Sequence, residues 1–229
     1  MTPFAYFCSD ADMVTSTNTI LMKDKFVVNL GRQLGCGGKE IGEKLAQRLG
    51  IDFYDKELIN LASEESGLCA EFFERADEKA QQGLFGGVFN MRLPFVAEGA
   101  YPGSSCLSND ALFKVQSDVI RRLAAEKSCL FVGRCADYVL RDHPRCVNVF
   151  ISANRQDRIQ RLSERLSLNE VEAEEYMDKG DRKRAEFYNY YSNNTWGVAA
   201  TYHICVNSSL LGIEGTVDFL EQFVKKSLG

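Results

Sequence analysis

Apolar residues along this chain fall into two alternating patterns. Phe26–Leu30 is an apolar run interrupted only by Asn29, and Ile51–Tyr54, Cys129–Gly133, Cys146–Ile151 and His203–Val206 are further short runs of the length that suits buried strands. Between them apolar residues recur three and four apart, as in Ile41, Leu45 and Leu49 and again in Ile159, Leu162 and Leu166, which marks one face of a helix. Strands alternating with helices predict an α/β fold: a parallel sheet with helices on both faces.

Three stretches break this rhythm. Residues 1–25 are rich in Ser, Thr, Asn and Asp without periodicity and read as a disordered leader, with Met22 a candidate for the true start and a single domain over 26–229. Residues 83–108 carry Gly83, Gly86, Gly87, Pro94, Gly99, Pro102 and Gly103, a composition expected of a substrate-side insertion rather than scaffold. From Asn169 to Asn194 an acidic helix passes into Asp178-Lys-Gly-Asp-Arg-Lys-Arg-Ala185, either a solvated face or a cationic site.

The first apolar run leads into the glycines of Arg32-Gln-Leu-Gly-Cys-Gly-Gly-Lys-Glu-Ile-Gly42 and then into a helix. Gly35, Gly37 and Gly38 let backbone N–H groups approach an anion, and the first turn of the helix adds its unpaired donors and positive dipole end. The segment Gly35, Cys36, Gly37, Gly38, Lys39, Glu40 therefore reads as a loop for the phosphates of a nucleotide, with Arg32 beside it. Against the pattern G-x-x-x-x-G-K-[ST], Gln33 stands at the first glycine and Glu40 at the hydroxyl residue.

A chain of 229 residues, 45% of them hydrophobic, can bury a full core. Its formal charge of -5 argues against a general nucleic-acid binder. The eight cysteines include no C-x-x-C pair, and with two histidines a structural zinc site is not expected; reduced thiols and a cytoplasmic location are. No run is long enough for a membrane span. Cys36 is either a reactive thiol or a small residue that fits the turn.

Together with the glycine segment, Phe53-Tyr-Asp-Lys-Glu-Leu-Ile59, Val132-Gly-Arg-Cys-Ala-Asp137 and Asp181-Arg-Lys-Arg-Ala185 resemble the cytidylate kinase-like family over about residues 26 to 226. The resemblance implies a phosphate-loop fold with five parallel strands in the order 2-3-1-4-5, a helical monophosphate-binding insertion at 56–126 and a lid at 168–198. It implies ATP and Mg2+ as cofactors, nucleotide substrates, and phosphoryl transfer to a nucleoside monophosphate, with CMP, dCMP and UMP as first candidates. Lys39, Arg134, Asp181 and Arg184 are then the expected catalytic residues. Asp55 joins Arg134, Asp181 and Arg184 at the acceptor, with Gln116 either reading a base edge there or facing solvent, and Asp137 either adding a carboxylate there or serving as a surface or capping residue.

Phosphoryl transfer needs cations converging from several segments. A helix N-terminus contributes about 0.3–1 kcal/mol toward an anion, so side chains must add the rest. Arg32, Lys39, Arg134, Arg158, Arg161 and Arg184 are the candidates, Arg158 and Arg161 being equally readable as an exposed helix face. Several positions depart from the family pattern. Gly38 occupies the place of the kinase lysine, displacing the basic side chain to Lys39. Val132 and Cys135 stand where carboxylates flank Gly133-Arg134, and Leu61 replaces an arginine. These departures keep two alternatives open: a catalytically silent nucleotide-binding or sensing module, and a kinase for a small non-nucleotide acceptor. The aromatic run Phe187-Tyr-Asn-Tyr-Tyr191 with Trp196 serves either to stack on a base or to pack the lid.

Overall fold

The computed structural model describes residues 24–65 and 109–228, with side chains from 24 to 60 and from 110 to 228. The leader through residue 23, the Met22 start, the segment 83–108 and the side chain of Leu61 lie outside the described residues.

Five strands form an all-parallel sheet in the order β2-β3-β1-β4-β5. They are β1 (Val27–Arg32), β2 (Asp52–Tyr54), β3 (Cys129–Val132), β4 (Cys146–Ser152) and β5 (Ile204–Asn207). Among the described residues the helices are α1 (Gly38–Leu49), α2 (Lys56–Glu65), α3 (Asn109–Glu126), the short α4 (Ala136–Val139), α5 (Arg155–Leu166), α6 (Glu170–Ser192) and α7 (Ser208–Leu228). β1 lies centrally, paired Leu30 to Val132 on one side and Leu30 to Val149 on the other.

Alternation along β1 divides the core. Val28 and Leu30 pack with Ile41 and Leu45 of α1 and Val217 and Leu220 of α7, whereas Val27 faces the other way, with Phe131, Ile59 of α2 and Ile120 of α3. Each fully buried Leu, Ile or Phe contributes about 1.5–3 kcal/mol relative to exposure, so these two layers fix the sheet between its helices. A third cluster joins Leu34, after β1, to Ile159 and Leu162 of α5 and Ala173 and Met177 of α6. Leu34 thereby anchors the residues that follow β1 onto the helix pair.

Local signals set the helix ends. Asn169 accepts from the Glu172 backbone while Glu172 accepts from the Asn169 backbone, a reciprocal cap that starts α6. Gly50, in the left-handed region at φ 65°, ends α1 and donates to Ala46 and Gln47. Lys44 and Arg48 of α1 pair with Glu214 and Asp218 of α7, but these groups are exposed and such pairs add little each. No helix among the described residues is long and apolar enough to cross a membrane.

Candidate active site

The chain leaves β1 at Arg32 and turns through Gly35 (φ 80°) and Gly37 (φ 79°) into α1. The first helical bond runs from Ile41 N–H to Gly37 O at 3.0 Å, so the N–H groups of Gly38, Lys39 and Glu40 precede the α1 ladder. Side chains from α5 and α6 hold the loop in shape. Asp181 Oδ1 accepts from Leu34 N–H at 2.7 Å, Arg158 Nε donates to Leu34 O at 2.7 Å, and Arg158 pairs with the other Asp181 oxygen. Arg161 reaches Gly35 O at 3.4 Å. Cys36 is buried, its carbonyl accepts from Ser208 Oγ at 2.8 Å, and burial pushes its thiol pKa up, so it fits the turn and is not poised as a nucleophile.

Three arginines converge beside this loop. Arg184 of α6 donates to Arg32 O at 3.1 Å, and Arg134 lies over the Phe187 ring at 5.3 Å. Among the described residues none of Arg32, Arg134 and Arg184 forms a carboxylate ion pair. Burial, then Arg184 and Arg134, lower the Arg32 pKa to about 9. Burial likewise lowers Arg134 to about 10 and lowers Arg184. Guanidinium remains charged at neutral pH, so the site is an excess of positive charge on three half-buried side chains. Gly133, Arg134 and Cys135 are consecutively left-handed, at φ 76°, 57° and 53°. Two of the three are non-glycine residues, so the turn that presents Arg134 is strained.

Lys39 points elsewhere. Its Nζ lies 2.7 Å from Asp55 Oδ2, with the Lys39 side chain 60% exposed and that of Asp55 8%. Asp55 Oδ1 also accepts from the N–H groups of Glu57 and Leu58 at 3.1 Å each, capping α2. Burial alone would raise the Asp55 pKa, but Lys39 and these donors hold it below its ordinary value; Glu57 is raised by burial and by Asp55.

Two cavities flank the arginines. The larger, about 680 Å³, lies over the loop and is lined by Gly35, Gly37, Gly38, Lys39, Glu40, Asp55, Glu57 and Arg161. The smaller, about 170 Å³, is lined by Arg134, Asp137 and Lys183, with Phe187, Tyr188, Trp196 and Tyr202 as aromatic walls. Arg32, Lys56, Val132 and Arg184 line both, so the cavities meet at three cationic side chains. In the smaller one Asp137 Oδ2 accepts from Tyr188 OH at 2.6 Å, and burial raises the Asp137 pKa.

Four expected site residues line neither cavity: Cys36, buried within the turn, and Arg158, Asp181 and Gln116. Arg158 is buried, 5% exposed, and its guanidinium braces Leu34 O and Asp181 instead of lining the larger cavity. Asp181 lines neither cavity, because Leu34 N–H and Arg158 use its two oxygens. Gln116 is 1% exposed and donates to Asn60 at 2.7 Å, joining α3 to α2 rather than bordering a cavity. Conversely, Lys56, Glu57, Lys183 and Tyr202 line the cavities without having been singled out. Lys56 and Lys183 stand inside quoted motifs, a signal that adjacency to Asp55 and Arg184 could have raised.

Among solved structures, the chain is similar to an uncharacterized protein from Eubacterium ventriosum, at 23% identity and TM-score 0.66, covering 89% of this chain and 99% of that one. That likeness shows the fold. A shikimate kinase from Bacteroides thetaiotaomicron matches at 14% identity and TM-score 0.49, over 87% and 98% of the two chains. One from Acinetobacter baumannii in complex with shikimate matches at 15% and 0.47, over 90% and 93%. A search among curated proteins finds no match. The family model that matches is that of the cytidylate kinase-like family, over residues 27–210. The phosphate loop, the strand order and this match agree: the chain belongs to the cytidylate kinase-like family.

Proposed function

We propose that this chain is an ATP-dependent kinase whose acceptor is a nucleoside monophosphate, with CMP, dCMP and UMP as first candidates. The observation that carries this reading is the pair of cavities meeting at Arg32, Lys56 and Arg184. The larger suits a triphosphate laid along the loop and the first turn of α1. The smaller offers cations for a second phosphate and aromatic walls for a base, with the Asp137 carboxyl able to read an amino group on it.

In this reaction the bond from the γ-phosphorus to the β,γ-bridging oxygen breaks and a bond to an acceptor phosphate oxygen forms. An ionised phosphate is already a nucleophile, so the chain needs to supply position and charge more than proton transfer. Arg161 and the loop orient the donor. Arg134 and Arg184 orient the acceptor and neutralise the moving group. Glu57, on the larger cavity, offers a hard oxygen donor that suits Mg2+ and would help hold it against the triphosphate, whereas both Asp55 oxygens are engaged by Lys39 and the first turn of α2. The ion would neutralise triphosphate charge.

A second reading, a catalytically silent nucleotide-binding module, is favoured by Gly38 at the lysine position, which leaves Lys39 where a Ser or Thr would follow it. Purified protein incubated with ATP, Mg2+ and each nucleoside monophosphate separates the two. Turnover with a pyrimidine monophosphate is the expected outcome. ATP binding without turnover on any monophosphate sinks the kinase reading in favour of the module, and turnover only on a non-nucleotide acceptor replaces the acceptor. Cys135 and Val132 remove carboxylates from the base side, so kcat/KM for CMP, UMP and dCMP is expected to differ by less than about a thousandfold.

A further inference from the structure

We propose that Arg32 supplies, from the end of β1, the loop cation that other phosphate-loop kinases draw from the lysine at the position of Gly38. The inference rests on the kinase reading of this site and identifies which side chain neutralises the bridging phosphates.

Its basis is the path of the Arg32 side chain. A Cβ at Gly38 would lie 2.8 Å from Arg32 Cβ and 3.0 Å from Arg32 Cγ, so the stem of Arg32 fills the space where a side chain at Gly38 would begin. The Cβ is fixed by the backbone and cannot swing away, so a side chain at Gly38 crowds the arginine at its root. At the far end, a Cβ at Gly133 would overlap Arg32 Nη1. The two glycines thus bracket the side chain at its root and its head. Between them Arg32 lines both cavities, where a cation bridging donor and acceptor belongs.

The neighbouring lysine does not take that place. Lys39 is 60% exposed, lies 2.7 Å from Asp55 and lines only the larger cavity. Arg32, by contrast, has no carboxylate partner among the described residues and lies beside Arg134 and Arg184. A half-buried cation among like charges calls for an anion, and a planar guanidinium can bridge two phosphate oxygens at once.

The test exchanges the two positions. Affinity for ATP and for inorganic tripolyphosphate is measured by calorimetry, and turnover with the best acceptor, for wild type, Arg32→Gly, Arg32→Gly/Gly38→Lys and Lys39→Met. Arg32→Met, which keeps the volume of the stem, is run beside Arg32→Gly, and thermal melts establish which variants fold. Arg32→Gly and Arg32→Met are expected to lose about 10²–10³ in turnover and at least about tenfold in tripolyphosphate affinity. The double variant should regain at least about tenfold of the lost turnover, because the lysine enters from the loop side into vacated space. Lys39→Met should lose less than either. Wild-type affinity and turnover in both Arg32 variants overturn the inference, as does a larger loss in Lys39→Met with no rescue in the double variant. A wild-type protein that binds neither ATP nor tripolyphosphate overturns instead the kinase reading on which it stands.

Discussion

Asp137 contributes a carboxyl at the aromatic end of the smaller cavity, bonded to Tyr188 OH. Burial raises its folded-state pKa above the ordinary value of 3.8, so between that value and the raised one the folded protein holds a proton that the unfolded chain has released. Stability therefore falls as pH rises through this window. Asp137→Asn keeps an oxygen for Tyr188 and removes the titration, so its stability relative to wild type should improve as pH rises above about 4, read by melts across a pH series. A flat difference would mean the group ionises freely. Single residues were readable where charge and glycine coincide in one motif: Arg32, Lys39, Arg134 and Arg184 all line a cavity. Arg158 was open between phosphate ligand and exposed helix face, and its buried position matches neither, because an arginine on a helix next to the loop carries the same letter whether it faces a cavity or braces the loop. Its partner, Leu34 O, is a backbone atom that no motif reveals. Tyr202 follows a 3-10 turn at Ala199–Thr201, a segment with no periodicity to mark its buried side.

Elements carry the loop into place through α5 and α6, whose contact converges on Leu34. Asp181 accepts from Leu34 N–H and pairs with Arg158, so it ties both helices to the residue before the glycines. Removing it strands a backbone donor and a buried guanidinium. Asp181→Ala is expected to lose at least about 2 kcal/mol in urea unfolding, short of the ~3–5 kcal/mol of a fully buried pair because Asp181 retains some exposure, with weaker ATP binding alongside. A normal unfolding midpoint with only turnover lost would return Asp181 to a direct chemical role. At this scale the hydrophobic period was informative: Ile41, Leu45 and Leu49 lie in α1, and Ile159, Leu162 and Leu166 in α5. The four-residue α4 is too short to show a period, and its turn depends on left-handed Arg134 and Cys135, which sequence letters do not announce.

For the molecule as a whole, alternating strands and helices implied a parallel sheet, whereas the order 2-3-1-4-5 came from the family resemblance; the pairing of β1 with both β3 and β4 bears it out. Strand order is set by how crossovers pack, which local patterns do not encode. The shared rim of the two cavities was likewise beyond the sequence, because Arg32, Lys56, Val132 and Arg184 come from four separate segments. That common rim has a pharmacological consequence. A single molecule with two nucleoside ends joined through a chain of phosphates would occupy both chambers without a wall to cross, and its second end would bind at an effective concentration set by the tether. Under the proposed kinase function, such dinucleoside polyphosphates should compete with both donor and acceptor and show an optimum in tether length. Inhibition measured across a series of increasing phosphate number would locate it, and a monotonic series would mean that the chambers are filled one at a time.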